Sequence, residues 1–286
     1  MISIVLPARN EAAGLDSLLP AIRRQVPADA EILVVDDGST DNTAAVCAAH
    51  GATRIAHPYP KGNGAAIKTG ARAAQGDVIV FMDADGQHQP EDIPRLLEKL
   101  DEGYDMAVGA RTRGSHAGVH REVANDLFSR FASWMVMQQI DDLTSGFRAV
   151  RASKFRKFLY LLPNGFSYPT TITMSFFRAG YGVAYVPIRA LERQGKSHIQ
   201  PLRDGVRFLL IIIKIGTLYS PQKLFLPVSA GFFLTGISYY AYTYLTTGRF
   251  TNMSALLFIS AILTFLIGIV SEQISALHYR DLDQDR

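Results

Sequence analysis

One cysteine, Cys47, and one tryptophan, Trp134, occur in 286 residues. A single thiol excludes an intrachain disulfide framework and a cysteine-based zinc site, and it fits a reducing compartment. Charged residues are also scarce, at 19%, against about 25% in an average soluble domain. Hydrophobic residues reach 48%, which excludes disorder and collagen-like repetition. The net charge of +3 is too small an excess to argue for nucleic acid. Met1 is followed at once by Ile2-Ser3-Ile4-Val5-Leu6-Pro7, without a basic n-region, so no signal peptide is expected. Neither a P-loop nor the dinucleotide glycine fingerprint is present. His88, His116, His120 and His198 lack zinc spacing. No nucleophilic Ser or Cys constellation is seen.

What is present begins with an alternation. Ile2–Leu6, Glu31–Val35, Val78–Met82 and Met106–Val108 are short, rich in Ile and Val, and stopped by Pro, Asp or Gly, as buried strands are. Helical stretches lie between them. Leu15, Leu18, Leu19 and Ile22 recur at helical spacing, Thr43–Ala49 and Ala65–Ala74 are Ala-rich, and Pro90–Leu100 opens on Pro and stops before Gly103. The order predicts an α/β fold with a mainly parallel sheet and helices on both faces. Ligands of such sheets bind at the carboxyl ends of the strands. Arg9-Asn10-Glu11, Asp36-Asp37-Gly38 and Asp83-Ala84-Asp85 each directly follow a strand.

The character changes after residue 200. Val206–Leu218 is apolar but too short to span a bilayer. Arg203, Arg207 and Lys214 fall within an arc of roughly 40° on it, as on an interfacial helix. A buried core helix with solvent-facing charges is the competing reading. Leu224–Gly248 and Phe250–Ser271 carry no charge, and each exceeds the ~20 residues that cross a hydrocarbon core. Tyr239, Tyr240, Tyr242 and Tyr244 suit an aromatic belt. The expected division is a domain over 1–200, an interfacial segment over 201–222 and a transmembrane hairpin over 223–286, with spans at about 224–247 and 251–271. Arg203, Arg207, Lys214, Lys223, Arg280 and Arg286 flank the hairpin, while its turn carries only Arg249. The positive-inside rule therefore places domain and C-terminus in the cytoplasm.

Three strand-end clusters carry the chemistry. Asp83 and Asp85, one residue apart before Gly86, can share a hard divalent cation, with Gln87 adding a neutral oxygen. An isolated Asp-x-Asp is more often a solvated turn; its place after an alternating strand favours function. Asp36-Asp37-Gly38-Ser39-Thr40-Asp41 can cap a helix, but capping uses one acid of three, and a carboxylate here can accept from a ribose hydroxyl or a base N–H. Lys61-Gly62-Asn63-Gly64 precedes a helix, an arrangement suited to phosphate. Arg111, Arg113, Arg121, Arg148, Arg193 and Lys196 read singly as surface charge. A nucleotide diphosphate plus a phosphate acceptor needs several such residues.

In order, Pro7–Glu11, Val35–Thr43, Lys61–Gly70, Asp83–His88, Asp142-Leu143-Thr144-Ser145-Gly146-Phe147-Arg148 and Arg193–Ser197 resemble a family 2 inverting glycosyltransferase. The subgroup most similar is the polyprenyl-phosphate glycosyltransferases. The resemblance implies a GT-A fold, a nucleotide-sugar donor (GDP-mannose or a UDP-hexose), Mg²⁺ or Mn²⁺, and a polyprenyl-phosphate acceptor at the cytoplasmic membrane face. It places Pro7, Arg9, Glu11, Asp36 or Asp37, Lys61, Asp83, Arg193 and Lys196 on the nucleotide sugar. Asp83, Asp85 and Gln87 fall near the metal. Asp85, Arg111 and Arg121 would serve catalysis, and Arg121, Ser145 and Arg148 the acceptor side. One departure stands out. The family often carries acids after the aromatic position here occupied by Phe166, whereas Ser167–Thr173 contains none.

A processive polysaccharide synthase would show Gln-x-x-Arg-Trp, but Trp134 follows Arg130-Phe131-Ala132-Ser133. A non-catalytic scaffold with a degenerate transferase domain would not need the intact Asp83, Asp85 and Gln87. A nucleotidyltransferase would not need a transmembrane hairpin. An oligomer is compatible with the sequence.

Overall fold

The computed structural model describes residues 1–111, 129–165, 168–189, 213 and 216–280. It divides into two compact units, Met1–His198 and Ile199–Arg286.

In the first unit the described elements are β1 (Ile2–Ala8), α1 (Ala12–Gln25), β2 (Glu31–Asp36), α2 (Thr43–Ala49), β3 (Thr53–Ala56), α3 (Asn63–Ala73), β4 (Val78–Phe81), α4 (Ile93–Asp101, entered through a 3₁₀ turn at Pro90–Asp92), β5 (Met106–Arg111), β6 (Arg148–Arg151), α5 (Ala152–Arg156), α6 (Tyr168–Arg178) and β7 (Val183–Ile188). The seven strands form one sheet in the order β3-β2-β1-β4-β6-β5-β7. All neighbours pair in parallel except β6, which is antiparallel to both β4 and β5. The mainly parallel α/β sheet is as expected. The four anticipated strands all form, and β3, β6 and β7 are additional. Strands β3 and β6 are four residues long and carry Thr or Arg, while β7 contains Pro187 and alternates in burial, so a continuous parallel-sheet hydrophobic run does not reveal them.

Ile4, Val5 and Leu6 have no exposed surface, as a strand covered on both faces requires. Helix α1 buries Leu15, Leu18, Leu19 and Ile22, the stripe that 3.6-residue periodicity dictates. On α3, Gly64, Ala65, Ala66, Ile67, Gly70 and Ala71 are buried, so the backbone lies close to the sheet. A Cβ on Gly70 would stand 2.3 Å from Val5 Cγ1 and 3.2 Å from Val35 Cγ2. That contact fixes how low α3 sits over β1 and β2.

The second unit contains α7 (Pro221–Thr247) and α8 (Asn252–Arg280). Gly248 ends α7 in the left-handed conformation, at φ 66°, and its N–H bonds to the Tyr244 carbonyl. This is the C-terminal glycine stop of a helix, and it lets the chain reverse into α8. Small residues line the seam. Ser229 Oγ donates to the Ala261 carbonyl at 2.8 Å, Gly236 faces Phe258, and Gly268 faces Phe225. Such residues let apolar helices approach closely. Leu234, Leu245, Leu256, Ile262 and Leu277 point outward. Both helices are long and apolar enough to cross a membrane, by length and composition. Most of the anticipated interfacial segment, 206–218, and the tail 281–286 lie outside the described residues.

Val5 is branched and enclosed, so it has little room to yield to a methyl group on α3. Gly70→Ala is expected to cost about 1–3 kcal/mol through overpacking. Thermal unfolding checks this: the melting temperature should fall by several degrees, and an unchanged value would show that α3 can lift off the sheet freely.

Candidate active site

The chain passes from β1 to β2 on one side and later returns to β4 on the other. Such a reversal leaves a crevice outside the carboxyl ends of the two strands. Arg9 to Glu11 follow β1 there and Asp83 to Asp85 follow β4, with the Met82 N–H bonded to the Val5 carbonyl. A Cβ on Gly14 would lie 2.7 Å from the Ala84 carbonyl oxygen, so glycine lets the start of α1 close against the aspartate turn. Strand β6 runs the opposite way, with Arg148 opposite Phe81. Its preceding loop, residues 142–147, therefore reaches the same edge. Strands β5 and β7 also end there, at Arg111 and Ile188.

On the β2 side the carboxylates hold the loops. Asp36 accepts from Arg54 Nε at 2.8 Å and from the Ser39 N–H at 2.8 Å. Asp37 accepts from His57 Nδ1 at 2.7 Å and from the Lys61 and Gly62 N–H groups at 2.7 and 2.8 Å. His57 Nε2 in turn meets Thr69 Oγ1 at 2.9 Å. Burial pushes both acids up, but Ser39 and Arg54 at Asp36, and His57 and the two amides at Asp37, outweigh it. Both sit below their ordinary value. Asp41 takes the Ala12 N–H, and Asn10 Oδ1 takes the Thr40 N–H. The loops after β1 and β2 are thus tied together. Pro7 is half-buried and Arg9 exposed beside them. The Glu11 carbonyl receives the Leu15 N–H at the start of α1. The exposed Lys61 ammonium lies 5.6 Å from the Tyr59 ring centroid.

At the end of β4, Asp83 and Asp85 are both half-buried. Asp85 Oδ1 accepts the Gln87 N–H at 3.2 Å, which shapes the turn. His88 Nε2 stands 3.7 Å from Asp83 Oδ2, and its ring stacks on Phe147 at 5.1 Å. Burial raises the Asp83 carboxyl, yet His88, Asn63 and Arg148 together bring it below its ordinary value. Gly146 lies hard against it: a Cβ there would be 2.7 Å from Asp83 Oδ2.

Arg111 forms a two-pronged pair with Asp142, Nε to Oδ2 at 2.7 Å and Nη2 to Oδ1 at 2.9 Å, and also bonds Thr144 Oγ1. Burial raises Asp142, but Arg111 and the Thr144 amide outweigh it and hold the acid ionised. Ser145 and Arg148 were expected on the acceptor side. Ser145 is 2% exposed and Arg148 0%. Both side chains are enclosed, because the loop turns inward where the antiparallel β6 begins. Arg113, Arg121, Arg193 and Lys196 lie outside the described residues. Sequence reasoning also passed over His57 and Tyr168, which no spacing marks, and the pairing of Arg111 with Asp142, whose partners are 31 residues apart.

The oxygen donors at Asp83, Asp85 and Gln87 suit Mg²⁺ or Mn²⁺, cations that usually keep waters and take substrate phosphates. Among the described residues no group of three or more His, Cys, Asp or Glu forms a protein-only cage.

Because Asp142 is held below its ordinary 3.8, its contribution to stability is full above the unfolded value and is lost as pH falls through the folded one. Asp142→Asn should therefore lower the melting temperature at pH 7. The gap between variant and parent should narrow as the pH falls below 3.8. A gap that stays constant with pH would show that the Asp142 charge does not matter.

Comparison with known proteins agrees with this geometry. The glycosyl transferase family 2 pattern matches residues 3–159, and the pattern described as the GtrB C-terminal hairpin matches residues 220–277. A dolichyl-phosphate hexose transferase of Haloferax volcanii is 30% identical over 216 residues, 75% of this chain and 93% of the relative. An undecaprenyl-phosphate mannosyltransferase of Micrococcus luteus is 32% identical over 204 residues, 66% of this chain and 83% of its own. Among solved structures, glucosyl-3-phosphoglycerate synthase from Mycobacterium tuberculosis, in complex with Mn²⁺, UDP-glucose and phosphoglyceric acid, superposes with a TM-score of 0.62. It is 25% identical, with 76% of this chain and 79% of that one covered. With its GT-A architecture and a family match spanning more than half its length, the chain belongs to glycosyl transferase family 2.

Proposed function

We propose that this glycosyltransferase moves a hexose from a nucleotide sugar to a polyprenyl phosphate at the cytoplasmic face of a membrane. The observation that carries the reading is the Asp83–Asp85 pair at the strand-order reversal, in a chain that also has an apolar helical hairpin. Relatives named for dolichyl, undecaprenyl and polyprenol phosphates support the acceptor.

The acceptor chemistry suits such a site. A phosphate monoester has a second pKa of about 6, so it is largely dianionic at neutral pH. It is already nucleophilic, and a general base is optional. Catalysis then rests on position and on stabilising the departing diphosphate. Asp83, Asp85 and Gln87 would hold Mg²⁺ or Mn²⁺, whose charge stabilises that leaving group. Pro7, Arg9, Glu11, Asp36, Asp37 and Lys61 would face the nucleoside and its phosphates. Asp36 and Asp37 already have loop partners, so each would add a contact through a free lone pair. Arg111, oriented by Asp142, would lie toward the transferred sugar. Arg121, Arg193 and Lys196 keep the roles that the family resemblance implies, Arg121 near the transferred group and the acceptor, the other two over the diphosphate. Attack opposite the leaving group would invert the anomeric carbon.

Membranes carrying the protein, supplied with polyprenyl phosphate and a panel of nucleotide sugars, should yield a hexosyl lipid whose mass identifies the sugar. Asp85→Asn should keep its melting temperature while transfer falls by about two orders of magnitude or more, as when a charge-stabilising group is lost. Sugar release to water alone, or near-normal turnover of the variant in saturating Mn²⁺ or Mg²⁺, would overturn the assignment.

The orientation follows from charge. Reporters fused beyond Arg286 and before Met1 should both register the cytoplasm, and one inserted beside Arg249 the opposite side. A C-terminus outside the cell would refute the hairpin topology.

A further inference from the structure

We propose that Tyr168 and Arg148, both buried behind the site, form a clamp that positions Asp83 and thereby sets the affinity of the site for a divalent cation. The inference rests on the metal-site reading above. The residues concerned are the first of α6 and the first of β6, and neither belongs to the aspartate turn.

The clamp acts on the backbone of Ser145 and Gly146. Arg148 Nη2 donates to the Ser145 carbonyl. Tyr168 Oη donates to the next carbonyl, that of Gly146, at 3.1 Å. Asp83 stands against this same turn, near enough that a Cβ on Gly146 would lie 2.7 Å from Asp83 Oδ2 and 3.3 Å from Tyr168 Oη. Two adjacent carbonyls are therefore gripped from behind, and the face they present forms the wall beside the carboxylate. The two clamping groups also hold each other, with the guanidinium carbon 5.6 Å from the centre of the Tyr168 ring.

Arg148 is an expensive residue for mere packing. It has no exposed surface, and burying a cation is costly unless it is paired. Its remaining partners are neutral: the Pro169 carbonyl at 3.3 Å, Thr173 Oγ1 at 3.2 Å and Met106 Sδ at 3.7 Å. Among the described residues its Nε has no partner. The acid-free stretch of residues 167–173 explains this. At this point α6 offers the guanidinium a hydroxyl and a carbonyl where a carboxylate would have neutralised it. The negative charges that do reach it belong to Asp142 and Asp83. The site's own carboxylates thus lie on the side of the clamp that α6 leaves without an acid.

The test uses full-length protein in nanodiscs, with Mn²⁺ as the probe. Free Mn²⁺ is read by electron paramagnetic resonance, and the half-saturating Mn²⁺ in the transfer assay and the melting temperature are read alongside. Tyr168→Phe deletes only the hydroxyl. It should weaken Mn²⁺ binding by about two- to tenfold, the size of one hydrogen bond. The change should fall on half-saturating Mn²⁺ more than on maximal rate. Arg148→Met should weaken binding further. If that variant does not fold, Tyr168→Phe decides alone. Asp83→Asn is the reference. Should it lose Mn²⁺ while Tyr168→Phe binds like the parent, even with a lowered melting temperature, the pair is only structural and the clamp is refuted. Should Asp83→Asn itself bind Mn²⁺ normally, the metal-site reading fails and the clamp falls with it.

Discussion

The sheet runs outward from β1 in both directions, and the rest of the first unit follows from that constraint. Crossover connections on either side of β1 lead away from the gap between β1 and β4, so the carboxyl ends of these two strands are left uncovered. Backbone amides and short polar side chains must then be satisfied at an open edge rather than inside a ladder. Asp36, Asp37, Asp41 and Asn10 do this by accepting from the loops around them. The edge is consequently stiff before any ligand arrives. Asp83 and Asp85 stand in its middle, where Asp85 Oδ1 accepts the Gln87 N–H and shapes the turn.

The antiparallel strand β6 adds the second half of the site. A parallel strand at that position would have carried its preceding loop to the opposite end of the sheet. Running backward, β6 brings Asp142 to Phe147 against the aspartate turn and begins with Arg148 beneath it. The loop then meets Arg111 at the end of β5, so an acid and a base far apart in sequence become a two-pronged pair. Among the described residues five buried side-chain atoms have no partner; His88 Nδ1, Ser145 Oγ, Arg148 Nε and Tyr185 Oη belong to the elements around this site, and the fifth is Ser129 Oγ. In a packed interior such atoms are rare. Their clustering shows where the fold has given up local satisfaction in favour of a charged site.

The second unit obeys different physics. Helices α7 and α8 expose apolar side chains along their length, and their seam depends on close approach. Gly236, Gly268 and the Ser229 hydroxyl supply that approach, while Gly248 turns the chain between them.

Much of this was legible in the residues alone. Hydrophobic runs of three to five residues ended by Pro, Asp or Gly marked β1, β2, β4 and β5, because a strand buried on both faces must be apolar throughout. Two long uncharged stretches marked the hairpin, because length and polarity are what a bilayer tests. The strand-end acids were visible because α/β topology dictates where ligands bind. Tertiary structure alone decided the rest. Strand β6 is four residues with Arg at both ends, and no local pattern announces it. The enclosure of Ser145 and Arg148 follows from the direction of that strand. So do the pairing of Arg111 with Asp142 and the closeness of Gly146 to Asp83. Each is a contact between segments distant in sequence, and composition and periodicity carry information only about neighbours along the chain.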